Sequence, residues 1–91
     1  MNHDLTRTIT RIQQMEYYFD TASDALRQGI PAGQPLLQAL LRALERYQSS
    51  GLWLHDYQLD EQGLLPTDLK RGVLSEDGLY NLLCDTLYAI S

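Results

Sequence analysis

Four polar residues near the middle of the chain have the types that could bind a cation. Asp56 and Asp60 lie four positions apart, with His55 and Glu61 beside them. On a helix, residues four apart share one face, so the two aspartates could hold an ion together. An EF-hand loop, however, needs glycine at its sixth position and glutamate at its twelfth. Counted from Asp56, these positions are Glu61 and Thr67. We therefore expect a solvated acidic face and no metal site.

Cys84 is the only cysteine, and with a histidine it could form a nucleophile and base. Its neighbours Leu82, Leu83 and Leu87 predict instead a buried, unreactive thiol. The sequence has no glycine-rich phosphate loop and no Cys/His spacing suited to zinc. We therefore expect a protein that is not an enzyme and needs no cofactor.

The charge of the chain is unevenly distributed. Its 91 residues carry a net charge of −5, and a chain of this length fits one domain. Residues 1–51 are neutral overall, whereas residues 52–91 carry seven acids against Lys70 and Arg71. Binding to nucleic acid or anionic membranes favours the opposite balance, so we expect neither. The polar start "MNHDLTRTITR" lacks a signal-peptide run and a single cysteine suits a reducing compartment, so we expect a cytoplasmic protein.

Helical periodicity predicts an all-α fold in which a long helical hairpin is packed by shorter C-terminal helices. A helix over residues 4–28 is indicated by an apolar residue at every seventh position, namely Leu5, Ile12, Phe19 and Leu26. "GIPAGQP" then forces a turn, and a second apolar stripe predicts a helix over 34–49. The remaining segments are a short helix (52–61), a helical turn (66–71) closed by Gly72, and a last helix (76–90).

The seven-residue repeat of the first helix permits two interpretations. It is the spacing of a coiled-coil seam, which would give a weak homodimer. It is equally the spacing of the internal seam of the hairpin.

The stretch "LKRGVLSEDGLYNLL", residues 69–83, combines basic and acidic pairs with two glycines. Lys70 and Arg71 suit the end of one helix, and Ser75 suits the N-cap of the next. Leu74 and Leu79 have the spacing of a hydrophobic staple. Helix-end interactions thus explain most of the stretch as a structural joint. Gly78 is the exception, because glycine costs about 1 kcal/mol in a helix, so either another group packs closely there or something binds.

The segments "RIQQMEYYFD", "WLHDYQLDEQGLLP" and "DLKRGVLSEDGLY" resemble a family of short bacterial proteins, domain-of-unknown-function family 4298. The resemblance covers nearly the whole chain and implies a bacterial, cytoplasmic, helical protein without an assigned activity. It favours one candidate polar binding surface built by the residues that match the family, which are Tyr17, Tyr18, Trp53, Asp56, Tyr57, Asp60, Lys70, Arg71, Glu76, Asp77 and Tyr80.

Two functions remain open. The first is a non-catalytic module that binds another protein, for which exposed tyrosine and tryptophan side chains are typical anchors. It predicts an exposed aromatic or apolar patch. The alternative is a small-ligand or ion-binding protein with a polar site near Trp53, Asp56, Lys70 and Tyr80. It predicts a concave site on which charges converge.

Overall fold

The computed structural model describes residues 3–75 and 77–88, and every regular element within them is helical. This confirms the all-α prediction. Candidate residue Glu76 and residues 89–90 of the predicted last helix lie outside the described residues. The elements are α1 (His3–Arg27), α2 (Pro35–Ser49), α3 (Leu52–Glu61), a 3₁₀ helix (Gly72–Leu74), α4 (Gly78–Leu83) and a π-helix (Cys84–Tyr88) that continues α4.

The first two helices form the predicted hairpin. Gly29 adopts a φ of 88° after α1, a conformation that favours glycine. Pro35 occupies the first turn of α2, and the Gln34 side chain accepts a hydrogen bond of 2.9 Å from the Leu37 amide. The connection therefore ends one helix and caps the next, and α2 packs along α1.

The seven-residue stripe of α1 lies inside the molecule. Ile12 is fully buried, and Leu5, Phe19 and Leu26 are partly buried against the core. The stripe is thus the internal seam of the hairpin, the second of its two interpretations.

The C-terminal half covers one side of the hairpin. α3 packs on α2, and the 3₁₀ helix contacts α1, α3 and α4. Val73 and Leu74 of this short helix join Leu44 and Leu83 in the main core, where each is at most 2% exposed. Cys84 is half-buried, less enclosed than its leucine neighbours predict.

The predicted helical turn over residues 66–71, closed by Gly72, is wrong in its extent and in its end. A single turn is present, in which the Leu69 amide donates to the Pro66 carbonyl at 3.2 Å. Gly72 instead begins the 3₁₀ helix. A Cβ at this position would lie 3.1 Å from a carboxylate oxygen of Glu16. The glycine therefore serves a close tertiary approach rather than a helix end, and local sequence rules do not capture that.

The joint before α4 follows the sequence prediction only in part, because α4 begins at Gly78 and its N-cap is Asp77, not Ser75. The Gly78 amide donates to Ser75 Oγ at 3.1 Å, and Leu74 and Leu79 are buried in the same cluster. Gly78 also has an explanation, because a Cβ there would collide with Ser75 Oγ and contact the Phe19 ring. Close packing thus accounts for the glycine without a ligand.

Candidate functional site

Asp56 is fully buried and connects the first three helices. Arg11 of α1 donates twice to its carboxylate, from Nε to Oδ2 at 2.9 Å and from Nη2 to Oδ1 at 2.5 Å. The Tyr47 hydroxyl of α2 donates to Oδ2 at 2.6 Å, and His55 Nδ1 lies 3.0 Å from Oδ1. We call these four residues the Asp56 network. Paired, hydrogen-bonded charge of this kind fixes how helices meet.

The network keeps Asp56 ionised. Burial by itself would raise the pKa of Asp56, but hydrogen bonds from Arg11, Tyr47 and His55, together with the Arg11 charge, lower the pKa below its ordinary value. Burial raises the pKa of the Tyr47 hydroxyl, and the hydrogen bond to Asp56 raises it further. An ionised carboxylate only accepts hydrogen bonds, so His55 Nδ1 carries the hydrogen between them.

The prediction of a solvated acidic face is wrong for Asp56. Asp56 and Asp60 do not converge on a shared ion, since Asp56 binds Arg11 and Asp60 forms an ion pair with Arg71. Among the described residues, no group of three or more His, Cys, Asp or Glu side chains is placed to hold a metal.

Arg71 fixes the shape of the segment that follows α3. Its guanidinium binds Asp60 and donates to the backbone carbonyls of Pro66 and Leu69. One side chain thereby ties both ends of the 66–69 turn to α3. We call residues 66–70 the wall segment.

Trp53 and Glu16 hold the residues directly after the wall segment. Trp53 Nε1 donates to the Val73 carbonyl at 2.8 Å, and its ring stacks on Tyr57 with centroids 5.0 Å apart. Glu16 of α1, only 7% exposed, accepts from the Val73 amide at 2.8 Å. Both polar backbone groups of Val73 are therefore fixed by side chains from other elements.

The wall segment and α1 enclose a groove of about 390 Å³. Tyr17 stands at it with 66% of its surface exposed. Ile9, Pro66 and Leu69 supply apolar surface. We call this the Tyr17 groove, and its remaining lining is polar or charged, namely Gln13, Glu16, Asp20, Asp68 and Lys70.

The candidate polar surface therefore divides into parts. Tyr17 and Lys70 line the groove, and Asp60 and Arg71 fix its wall segment. Trp53, stacked on Tyr57, binds Val73 just beyond that segment. Asp56 belongs to the separate network between α1, α2 and α3, so it does not share a cavity with Lys70.

Three further candidate residues have other positions. Tyr18 is half-buried against the core and its hydroxyl accepts from Gln14 at 2.8 Å. Asp77 is exposed just before α4, and its carbonyl accepts from the Asn81 amide. Tyr80 is 54% exposed on α4.

Sequence reasoning missed Arg11, Tyr47 and Glu16. Arg11 and Asp56 are 45 positions apart, and Glu16 and Val73 are 57 apart, so no local pattern relates them. A signal was present for Glu16, whose neighbours Ile12 and Phe19 at helical spacing place it beside the apolar stripe.

Comparison with family models gives one decisive result. A model described as Domain of unknown function (DUF4298) matches residues 9–90 of the 91. The chain belongs to this family. Comparisons with curated proteins and with solved structures give no match. The description of this family names no activity.

None of the helices in the described part of the DUF4298 chain is long and apolar enough to cross a membrane.

Proposed function

We propose that this DUF4298 chain is a non-catalytic protein-interaction module of the bacterial cytoplasm, and that it binds its partner in the Tyr17 groove. The resemblance to short bacterial proteins supports the origin, and the single half-buried cysteine suits a reducing compartment. The partner is a protein segment that carries a basic side chain beside an apolar one.

The observation that carries this proposal is the exposure of Tyr17. Its ring is 66% exposed although it stands beside apolar surface from Ile9, Pro66 and Leu69. Tyrosine presents a large contact area and loses little conformational entropy on binding, which is why it is enriched at protein interfaces.

The charges of the groove indicate the chemistry of the partner. Among the described residues that line it, Asp20 and Asp68 are exposed, Glu16 is buried, and Lys70 is the single basic residue. Three carboxylates against one ammonium attract a basic group, and an aromatic face adds a cation–π contact to such a group.

The groove is also held rigidly. Arg71 binds two carbonyls of the wall segment, and Trp53 and Glu16 fix Val73 just beyond it. A preformed wall lowers the entropy lost on binding. This gives Trp53, Asp60 and Arg71 a role as supports rather than as contacts.

The polar pocket of the alternative function has less support. Of its two charged members, Asp56 is paired with Arg11, and Lys70 lines the Tyr17 groove, to which Asp56 does not contribute. Trp53 directs its only donor to a backbone carbonyl. Asp56 and Trp53 therefore stabilise the fold, and a ligand would have to displace them.

Photo-cross-linking in the native cell tests the proposal. A photoreactive phenylalanine analogue replaces Tyr17 in one strain and Tyr80 in a second, because Tyr80 is a similarly exposed tyrosine outside the groove lining. We expect a discrete protein adduct from position 17 and none of the same mass from position 80. A peptide from the adduct, carrying a basic residue, should then bind the purified chain.

Variants establish whether the groove makes the contact. Asp68→Asn and Asp20→Asn should each weaken binding of that peptide by about threefold or more, as expected for loss of one exposed charge pair. Asp24→Asn is the matched control, because Asp24 lies one turn further along α1 and pairs with Arg27. Adducts of equal intensity at positions 17 and 80, or equal weakening by all three variants, would exclude the groove.

A further inference from the structure

A second concave site lies on a different part of the surface, beside the Asp56 network. It is a cleft of about 320 Å³ lined by Arg7, Thr8, Arg11, Leu52 and His55. We call it the arginine cleft. It shares no lining residue with the Tyr17 groove.

We propose that the arginine cleft binds a compact oxyanion, a phosphate or carboxylate group, between Arg7, Arg11 and His55. This inference does not rest on the proposed protein-interaction function. It rests on the sign of the charges, the fixed orientation of Arg11 and the positive surroundings of the cleft.

Among the described residues, the lining of the cleft contains no carboxylate. This is unusual on a chain with a net charge of −5. Arg7 is exposed, and the ion pairs of the described residues leave it without a carboxylate partner. A free guanidinium in a concave site favours an anionic ligand.

Asp56 orients Arg11 for this role. Nε and Nη2 of Arg11 bind the buried carboxylate, and Nη2 also donates to Thr8 Oγ1 at 3.3 Å. The guanidinium has five N–H donors, and among the described residues its Nη1 makes no hydrogen bond. Two donors on a fixed, partly exposed group thus remain for a ligand.

His55 completes the cleft opposite α1. Its ring is 57% exposed and its Nδ1 contacts Asp56, so the same carboxylate positions both Arg11 and His55. The ring adds a positive charge when it is protonated.

The surroundings of the cleft are positive as well. An adjoining cleft shares Arg11 and Leu52 and is lined by Arg46, and its described lining also contains no carboxylate. The exposed Arg46 has no carboxylate partner among the described residues. The two clefts together form a local cationic face, which raises the concentration of anions at the surface.

Amide chemical-shift titrations test this inference with two probes, inorganic phosphate and acetate, each at constant ionic strength maintained with sodium chloride. We expect shifts at Thr8, Leu52 and His55 that saturate with at least one probe. Saturation with phosphate alone assigns a phosphate-bearing ligand, and saturation with acetate alone assigns a carboxylate.

Three single variants separate a site from general charge attraction. Arg7→Gln and His55→Gln should weaken binding of the saturating probe by about threefold or more. Arg42→Gln is the control, because it removes an exposed arginine of α2 that lines neither cleft. Arg11 is left intact, since its loss would disturb the fold.

Two results would overturn the proposal. One is that the amide chemical-shift changes increase linearly with the concentration of both probes and do not saturate. The other is a loss of affinity in Arg42→Gln equal to that in Arg7→Gln. The spectra of all three variants should keep the dispersion of the unchanged chain, which shows that any lost affinity is not lost folding.

Discussion

At the scale of single residues, the molecule depends most on one buried carboxylate. Asp56 has no exposed surface, yet it accepts hydrogen bonds from α1, from α2 and from its own helix. Removing one partner from such a network leaves the others desolvated and unpaired, which costs more than the network itself contributes. Asp56 therefore specifies how three helices meet.

The pH dependence of stability should reveal this carboxylate. Its pKa in the folded chain is lowered from 3.8, so its contribution is complete above the unfolded value and is lost as pH falls through the folded one. We expect Asp56→Asn to lower the free energy of unfolding by about 2–4 kcal/mol near neutral pH. The difference from the unchanged chain should shrink below about pH 4.

Urea unfolding of both chains at several pH values measures this difference. Asp60→Asn is the control, because its ion pair with Arg71 is partly exposed and should contribute only about 1 kcal/mol. A difference for Asp56→Asn that stays constant down to the acid limit would contradict the lowered pKa.

At the scale of elements, tertiary contacts decide the backbone between α3 and α4. The amphipathic patterns of α1 and α2 could be predicted, because each depends on residues within a few positions. The contact of Ser75 with the start of α4 is also local, but the N-cap itself is Asp77. The wall segment could not be predicted. Its shape depends on Arg71 reaching Asp60 across 11 positions, and the position of Val73 just beyond it depends on Glu16, which is 57 positions away. The placement of Asp56 on an exposed surface was wrong in the same way, because Asp56 is buried and bound by Arg11 and Tyr47.

Arg71 and Lys70 should differ sharply in their effect on stability. A joint made only of helix ends predicts that neither basic residue matters, but Arg71 binds Asp60 and two carbonyls whereas Lys70 is exposed. We expect Arg71→Ala to cost about 1–3 kcal/mol and Lys70→Ala less than about 0.5 kcal/mol. Urea melts measure the free energy of unfolding of the two variants. Ser75→Ala serves as the reference, with an expected cost of about 1 kcal/mol. Equal costs for Arg71 and Lys70 would refute the role of Arg71 in the wall.

Gly78 provides a second test at this scale. Alanine normally favours a helix over glycine by about 1 kcal/mol, but a Cβ here would collide with Ser75 Oγ. Ser75 Oγ would have to rotate away and lose its hydrogen bond to the amide of residue 78, which costs about 1 kcal/mol, so we expect Gly78→Ala not to stabilise the chain. Gly33→Ala is the matched control, because no atom lies within 4 Å of its added Cβ. If thermal melts show that Gly78→Ala stabilises the chain, the Ser75 hydroxyl moves away from the added Cβ at little cost.

At the scale of the whole molecule, charge is segregated between concave surfaces. The Tyr17 groove is lined by three carboxylates and one lysine, and the arginine cleft is lined by two arginines and a histidine. The Asp56 network supports the cleft, and the Arg71 contacts support the groove. Each surface thus has its own internal support, so a partner in one and an anion in the other could bind independently.

Burial of the heptad stripe also bears on the oligomeric state. A dimer through Leu5, Ile12, Phe19 and Leu26 would require the hairpin to open, since these side chains pack against the core. We therefore expect sedimentation equilibrium to give the monomer mass of 10.4 kDa into the high micromolar range. Any association that does occur should use the apolar side chains left outside, of which Leu36 is 76% exposed beside Ile30. Leu36→Ser should then abolish it, while leaving the unfolding free energy within about 0.5 kcal/mol. A dimer that survives Leu36→Ser and dissociates only when Phe19 is changed would restore the coiled-coil interpretation of α1.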